Sequence, residues 1–243
     1  MKLAVISDIH GNLFALEKVL EDIEHEKCDN IVCLGDLAMA GPEPDKTVEL
    51  VKQMNWDVIQ GNTDKMIVEY NEEMYNALKG QIPIMANALR NDAEVISDKN
   101  KEYLKNLPEN LEININNTPI LLVHGSPRRN NEDISPDLPL EKVEEMTDGT
   151  DARLILCGHT HLPCGYQTNS GKTVVNVGSV GRPFTEKPVS CYAIVTFDEF
   201  GFGVEHKFVE YDNVSASEVL AKRNFEGADK LAQMLIKPEL RHM

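Results

Sequence analysis

The sequence predicts an α/β fold with more than one β-sheet, on three observations. Short continuous apolar runs recur from the N-terminus, each ending in a polar loop. Helical apolar periodicity follows the first two of these runs. A later group of strand-like runs points to a second sheet.

Leu3-Ala4-Val5-Ile6 leaves no polar face, the pattern of a strand buried on both sides, and Asp8-Ile9-His10-Gly11-Asn12 breaks it. From Leu13 to Glu26 the residues Leu13, Leu16, Val19, Leu20 and Ile23 recur at helical spacing, with Asn12 placed to cap the first turn. The unit repeats: Ile31-Val32-Cys33-Leu34 ends in Gly35-Asp36, and a helix is expected over Asp45 to Met54. A third run, Trp56 to Gln60, leads into Gly61-Asn62-Thr63-Asp64. Ligands in open α/β sheets collect beyond the carboxyl ends of strands, so these three loops are expected to converge on one site.

Residues 65–106 read as a helical insert, interrupted from Gly80 to Pro83. A hairpin is expected from Leu111 to Asn116 and Pro119 to His124, turning at Asn117, and Arg128 to Pro139 reads as a loop. Strands follow at Arg153 to Cys157 and Thr173 to Val177, then an antiparallel pair at Tyr192 to Phe197 and Gly203 to Tyr211, counted with the second sheet. A single amphipathic helix is expected over Ser217 to Ile236, with residues 1–243 forming one domain.

With 42% hydrophobic and 26% charged residues, the chain has the composition of a globular protein. Its net charge of -16 excludes a nucleic-acid polymer as partner, because such binding relies on Lys and Arg displacing counterions. It does not exclude small phosphate compounds, since bound cations set the local charge of a site. No stretch approaches membrane-spanning length, and the opening apolar run is too short for a secretory leader. Five cysteines without a Cys-x-x-Cys pair suit a reducing cytoplasm, and Cys157 is expected to be packed rather than reactive. His25, His206 and His242 have no ligand neighbours in sequence and are assigned to surface or packing positions. The acidic stretch Glu141 to Asp148 reads as a solvated helix face.

The chemistry-bearing residues sit at the strand ends. Asp8 and His10 are two apart, and an extended backbone would point both to one side. Asp36 and Asn62 each follow a glycine, which permits close backbone approach; taken singly, each more often marks a turn. His124 follows Ile120 to Val123, and His159 with His161 follow Leu154 to Cys157. Seven donors of mixed nitrogen and oxygen type suit two borderline cations such as manganese, iron or zinc better than calcium or magnesium.

In this order, Asp8-Ile9-His10, Gly35-Asp36, Gly61-Asn62, His124 and Gly158-His159-Thr160-His161 resemble the signature of the calcineurin-like metallophosphoesterase superfamily. Gly125-Ser126-Pro127-Arg128 and Gly178-Ser179-Val180-Gly181-Arg182-Pro183 bring the chain nearest to its small bacterial and archaeal phosphodiesterase branch. The resemblance implies a four-layer α/β/β/α sandwich with two mixed sheets. It implies one metal on Asp8, His10 and His161, a second on Asn62, His124 and His159, and Asp36 bridging them. Manganese is the first choice, with iron, zinc, nickel or cobalt as alternatives. The implied reaction is hydrolysis of a phosphodiester or phosphoanhydride bond in a small phosphorylated substrate by a metal-bridging hydroxide, with Asp36, Asn62 and His124 at the reacting centre.

The family's histidine after Gly-Asn is absent here, where Thr63 stands. Asp64 is the candidate leaving-group acid, with capping of the following helix as its other reading. Arg128, Arg129 and Arg182 are candidate phosphate contacts, because a guanidinium grips two oxygens at once. Two other classes remain open: a scaffold of the same fold with weakened metal sites, and a phosphoprotein phosphatase. A homo-oligomer is also left open.

Overall fold

A computed structural model describes residues 1–238. In chain order the elements are β1 (Lys2–Ile6), α1 (Leu13–His25), β2 (Asn30–Cys33), α2 (Pro44–Gln53) and β3 (Asp57–Val58). Four helices follow, α3 (Asn62–Val68), α4 (Glu72–Lys79), α5 (Pro83–Val95) and α6 (Asp98–Lys105). Then come β4 (Asn110–Ile115), β5 (Thr118–Val123), α7 (Leu140–Thr147), β6 (Leu154–Cys157), β7 (Cys164–Gln167) and β8 (Thr173–Asn176). The chain closes with β9 (Ser190–Phe197), β10 (Phe202–Val209), α8 (Asn213–Ala221) and α9 (Ala228–Ile236).

Two five-stranded mixed sheets result, ordered β10-β9-β1-β2-β3 and β4-β5-β6-β8-β7. Strand alternation explains the layering. Leu3 and Val5 of β1 pack with Val32, Leu122, Leu154, Leu156 and Val195 between the sheets, whereas Ala4 and Ile6 turn to α1, where Leu16, Val19 and Ile23 are buried. On the far side of the second sheet, Val123, Ile155 and Cys157 meet Val143 and Met146 of α7. Helices therefore cover both outer faces of a two-sheet core, the predicted four-layer sandwich. A strand buried on both faces needs apolar residues throughout, which is why β1 and β6 read as unbroken apolar runs.

Asn12 caps α1 as expected, its Oδ1 accepting from the Ala15 amide at 3.2 Å. The β4–β5 hairpin turns at Asn116 and Asn117, both at positive φ (50° and 62°), a conformation that matches the twist of paired strands.

Several expectations need correction. The Tyr192–Phe197 and Gly203–Tyr211 pair does not build the second sheet: β9 lies antiparallel to β1 and extends the first. The third run shrinks to the two residues of β3. The single helix expected over 217–236 is two helices, broken before Gly227, whose φ of 94° suits glycine; a Cβ there would sit 2.8 Å from Ile84. β7 escapes the sequence reading because Cys164-Gly165-Tyr166-Gln167 is short, glycine-bearing and an edge strand. No described helix is long and apolar enough to cross a membrane. His242 lies outside the described residues.

Candidate metal centre

Five of the seven predicted ligands sit on strained backbone. Asp8 (φ 54°), His10 (49°), Asp36 (55°), His159 (67°) and His161 (63°) are all left-handed, a region that costs a non-glycine residue roughly 1–3 kcal/mol. The extended segment expected at Asp8 to His10 is therefore not what the chain adopts. Instead the loop amides stitch the strand ends together: Asp8 N donates to Gly35 O (3.0 Å), His10 N to Asp36 O (2.9 Å) and Gly158 N to His124 O (2.8 Å). Glycine is required where these loops touch. A Cβ on Gly61 would lie 2.1 Å from Asp36 Oδ1, and one on Gly158 would lie 2.5 Å from Asp8 Oδ2.

Each carboxylate is held by one oxygen and offers the other. Asp8 Oδ2 accepts from the His159 amide (2.9 Å), and Asp36 Oδ1 accepts from the Thr63 amide (2.9 Å). The histidines follow the same rule. The Nδ1 atoms of His10, His124 and His161 donate to the carbonyls of Met39 (2.8 Å), Leu34 (2.7 Å) and Arg182 (2.6 Å), which leaves Nε2 as the ring nitrogen turned toward the centre.

The free donors converge. Asp8 Oδ1 lies 3.2 Å from His161 Nε2 and 3.9 Å from both His10 Nε2 and His124 Nε2. Asp36 Oδ2 lies 3.7 Å from His10 Nε2 and 3.4 Å from His124 Nε2, and Asn62 Oδ1 lies 3.1 Å from His124 Nε2. Two overlapping groups could each hold a cation: Asp8, His10 and His161, and Asp8, Asp36 and His124. Divalent metals fit this donor set on two counts. Asp8 Oδ1 is fully buried without a hydrogen-bond partner, and the Nε2 atoms of His10 and His161 face each other at 3.1 Å although both Nδ1 hydrogens point elsewhere.

Electrostatics agree with that fit. Burial alone would raise the Asp8 carboxyl, but the facing His161 and His124 rings hold it down at about 2. Burial likewise opposes ionisation of Asp36, which His124 and His10 hold well below the usual carboxylate range. His10 is lowered to about 4 by burial and by its His161 neighbour. His124 is pushed up to about 10 by Asp36 and Asp8 against its burial, so a cation, whether proton or metal, is strongly favoured beside it.

A sequence model described as the calcineurin-like phosphoesterase superfamily domain matches residues 1–199. The chain belongs to that superfamily. An uncharacterised protein of Methanocaldococcus jannaschii is 33% identical over 236 residues, covering 90% of this chain and 92% of the relative. Among solved structures, a hypothetical protein of Pyrococcus horikoshii superposes with a TM-score of 0.87 at 25% identity, covering 98% of this chain and 99% of the other. A metallophosphoesterase of Sphaerobacter thermophilus gives 0.77 at 27% identity, covering 97% and 98%. Membership of this phosphoesterase superfamily implies a hydrolase that uses divalent metals.

Within the superfamily pattern, the remaining predicted residues fall differently from expectation. His159 is not in either convergent group; its Nε2 lies 3.3 Å from Asp133 Oδ1, which leaves Nδ1 as its available donor. Asp64, the candidate acid, is fully buried and serves the loops: its oxygens accept from the amides of Asp36 (2.8 Å), Leu37 (2.8 Å) and Gly61 (3.0 Å). Burial and the nearby Asp36 push it up to about 7, yet with its oxygens turned to the backbone it cannot meet a leaving group. Its second reading, as the cap of a helix that follows it, also shifts: Asp64 is the third residue of α3 and accepts from the amide of the capping residue, Gly61.

Arg128 is also spoken for. It grips Glu132 through Nη2 (2.7 Å) and Nε (3.1 Å) and reaches Glu145 at 3.4 Å, while Arg129 reaches Glu132 at 3.0 Å. The hydrogen bond from Arg128 leads in holding Glu132 down at about 2. Arg182 alone of the three arginines is tied to the centre, through its carbonyl on His161.

Sequence reasoning missed three supporting residues. Asn176 donates to Gly158 O (2.6 Å), Thr160 Oγ1 (2.9 Å) and Ile134 O (3.0 Å), pinning the loop that carries His159 and His161. Asp133 anchors His159, and Phe184 stacks on His161 with ring centroids 4.9 Å apart. Only the Gly178 to Pro183 motif signalled part of this: Ser179 Oγ donates to Asp8 O at 2.8 Å and accepts from Arg182 N at 2.9 Å. Cys157 is packed as expected, with burial raising its thiol.

Proposed function

We propose that this chain is a dinuclear-metal phosphoesterase that cleaves phosphodiester or phosphoanhydride bonds of small phosphorylated molecules. Asp8, His10 and His161 hold one cation, Asn62, His124 and His159 the other, with Asp36 shared and manganese the preferred ion. The observation that carries this reading is Asp8 Oδ1, a buried oxygen without a hydrogen-bond partner that faces the Nε2 atoms of three imidazoles whose Nδ1 atoms donate to backbone carbonyls. When bound, such a cation pair lowers the pKa of water and polarises phosphoryl oxygens.

The chain's own residues do the rest. The carbonyl contacts of His10, His124 and His161 fix the ring orientations before substrate arrives, so no reorganisation is needed at the moment of reaction. Asn62 contributes an amide oxygen, which adds no charge to repel an anionic substrate. Arg182, whose charge acts on His10, is the arginine assigned to a non-bridging phosphate oxygen. With Thr63 in place of histidine and Asp64 locked in the backbone, neither position supplies a proton to the leaving group.

That last point sets a testable preference for acidic leaving groups, such as phenolates or phosphates. Manganese-loaded protein assayed on aryl phosphodiesters of graded leaving-group acidity, on cyclic nucleotides and on dinucleoside polyphosphates is expected to lose rate steeply as the leaving group becomes more basic. Asp36→Ala is expected to abolish turnover. A rate indifferent to leaving-group acidity would refute the missing-acid account, and absence of both bound metal and hydrolysis would favour the scaffold reading.

A further inference from the structure

A sheet edge presents a row of unpaired amides and carbonyls to any strand that can match it. Of the four edge strands among the described residues, β10 is the longest, with eight residues against six in β4, four in β7 and two in β3. It contains no proline. Phe197 N donates to Met1 O on the far side of β9, so Phe197 and Phe202 face each other in the β9–β10 ladder without exchanging hydrogen bonds. The alternation then turns the backbone groups of Phe202, Val204, His206 and Phe208 away from β9. Among the described residues, those outward groups meet no hydrogen-bond partner.

The side chains of β10 sort by face. Glu205 and Lys207 share one, where Lys207 Nζ lies 2.6 Å from Glu26 Oε1 and 3.8 Å from Glu205 Oε1. Val204, His206 and Phe208 share the other. Phe208 is 56% exposed. Val204 and His206 line a cleft of about 350 Å³ with Tyr166 and Val175 of the second sheet. His206 Nε2 donates to Asn176 O at 2.7 Å, which ties its ring inward and leaves the strand edge clear.

We infer that β10 is the interface of a homodimer, pairing antiparallel with β10 of a second copy about a two-fold axis at His206. An axis normal to the sheet keeps every side chain on its own face, so the strand meets its copy in registers centred on a residue. Centring on Glu205 sets that carboxylate against its own copy, and centring on Lys207 does the same with the ammonium groups. Centring on Val204 or Phe208 sets both charges against uncharged residues. Centring on His206 places Glu205 opposite Lys207 twice and joins the outward backbone groups of Val204 to those of Phe208. It also brings each Phe208 to the mouth of the cleft beside Val204 of the other copy. A lone lysine guards an edge by repelling a matching strand; alternation with glutamate makes this edge its own complement.

Analytical ultracentrifugation of the full chain across a concentration series tests this without metal or substrate, so its outcome is separate from that of the hydrolysis assays. A reversible dimer is expected, with amide hydrogen exchange at Val204, His206 and Phe208 slowing as concentration rises. Glu205→Lys and Lys207→Glu each set like charges opposite one another twice, so each is expected to weaken the dimer at least about tenfold. Mixed in equal amounts, the two variants regain opposite charges across the axis, and a heterodimer near wild-type affinity is expected. Phe208→Ser leaves every ion pair in place, including that of Lys207 with Glu26, and is also expected to weaken the dimer about tenfold, as loss of a buried apolar side chain does. A wild type that stays monomeric, a dimer unaffected by Glu205→Lys or by Phe208→Ser, or a mixture of folded charge variants that associates no better than either alone would each overturn the assignment.

Discussion

At the scale of single residues, each donor of the centre is divided between a structural and a chemical task. One atom of Asp8, Asp36, His10, His124 and His161 is bound to backbone, and the other is aimed at its neighbours. Asp64 is the residue in which the structural task has taken over both oxygens. Asp64→Asn removes one acceptor from three amides, so it is expected to cost about 1–3 kcal/mol in a urea titration. Its activity is expected to keep the wild-type dependence on leaving-group acidity; a selective loss on poor leaving groups would restore Asp64 as an acid. The donors were legible in the sequence because each follows an apolar run. Their left-handed backbone was not, since Asp and His only favour positive φ over other side chains and most of them still lie at negative φ. Asn176 and Asp133 were hidden for another reason: one looks like a strand residue and the other like part of a polar loop, and only tertiary contact gives them a role.

At the scale of elements, the apolar runs and the early helix periodicity located most strands and helices, because burial on both faces leaves an unmistakable pattern. The pairing of β9 with β1 was not legible, since which strand a late hairpin joins depends on contacts far apart in sequence. The same holds for the break between α8 and α9, where Arg223 reaches back to α5 and the α2 approach. Arg223 donates to Gly41 O and Asn91 Oδ1, each at 2.7 Å, and its Nη2 lies 2.7 Å from Asp92 Oδ1, a charge contact off the hydrogen-bonding direction. Asp92 is fully buried, and burial pushes it up to about 6 against the pull of Arg223. The folded chain therefore holds this proton to higher pH than the unfolded one, and the stability the group contributes falls as pH rises from about 4 to 6. Arg223→Met removes the counter-charge beside Asp92, so it is expected to cost about 3–5 kcal/mol at pH 8 and distinctly less at pH 5, where Asp92 takes up a proton. Urea midpoints at the two pH values check this; an equal cost at both would mean the carboxylate is neutral or solvated throughout.

At the scale of the whole molecule, the two sheets carry the centre at the ends of their inner strands. β1 and β2 deliver Asp8, His10 and Asp36 from one sheet, and β5 and β6 deliver His124, His159 and His161 from the other. The site is complete only when the sheets are packed face to face, so folding and ligand convergence are one event and bound metal stabilises the folded chain. A net charge of -16 is compatible with an anionic substrate because bound cations set the local charge of the site. The central claim, that Asp8 and Asp36 serve two neighbouring cations, is tested most directly by metal stoichiometry on protein reloaded with manganese and freed of loosely bound ion. Two manganese ions per chain are expected for the wild type, with spin coupling between them, and Asp36→Ala is expected to retain one or none. A single uncoupled ion per wild-type chain, or two retained in Asp36→Ala, would contradict it.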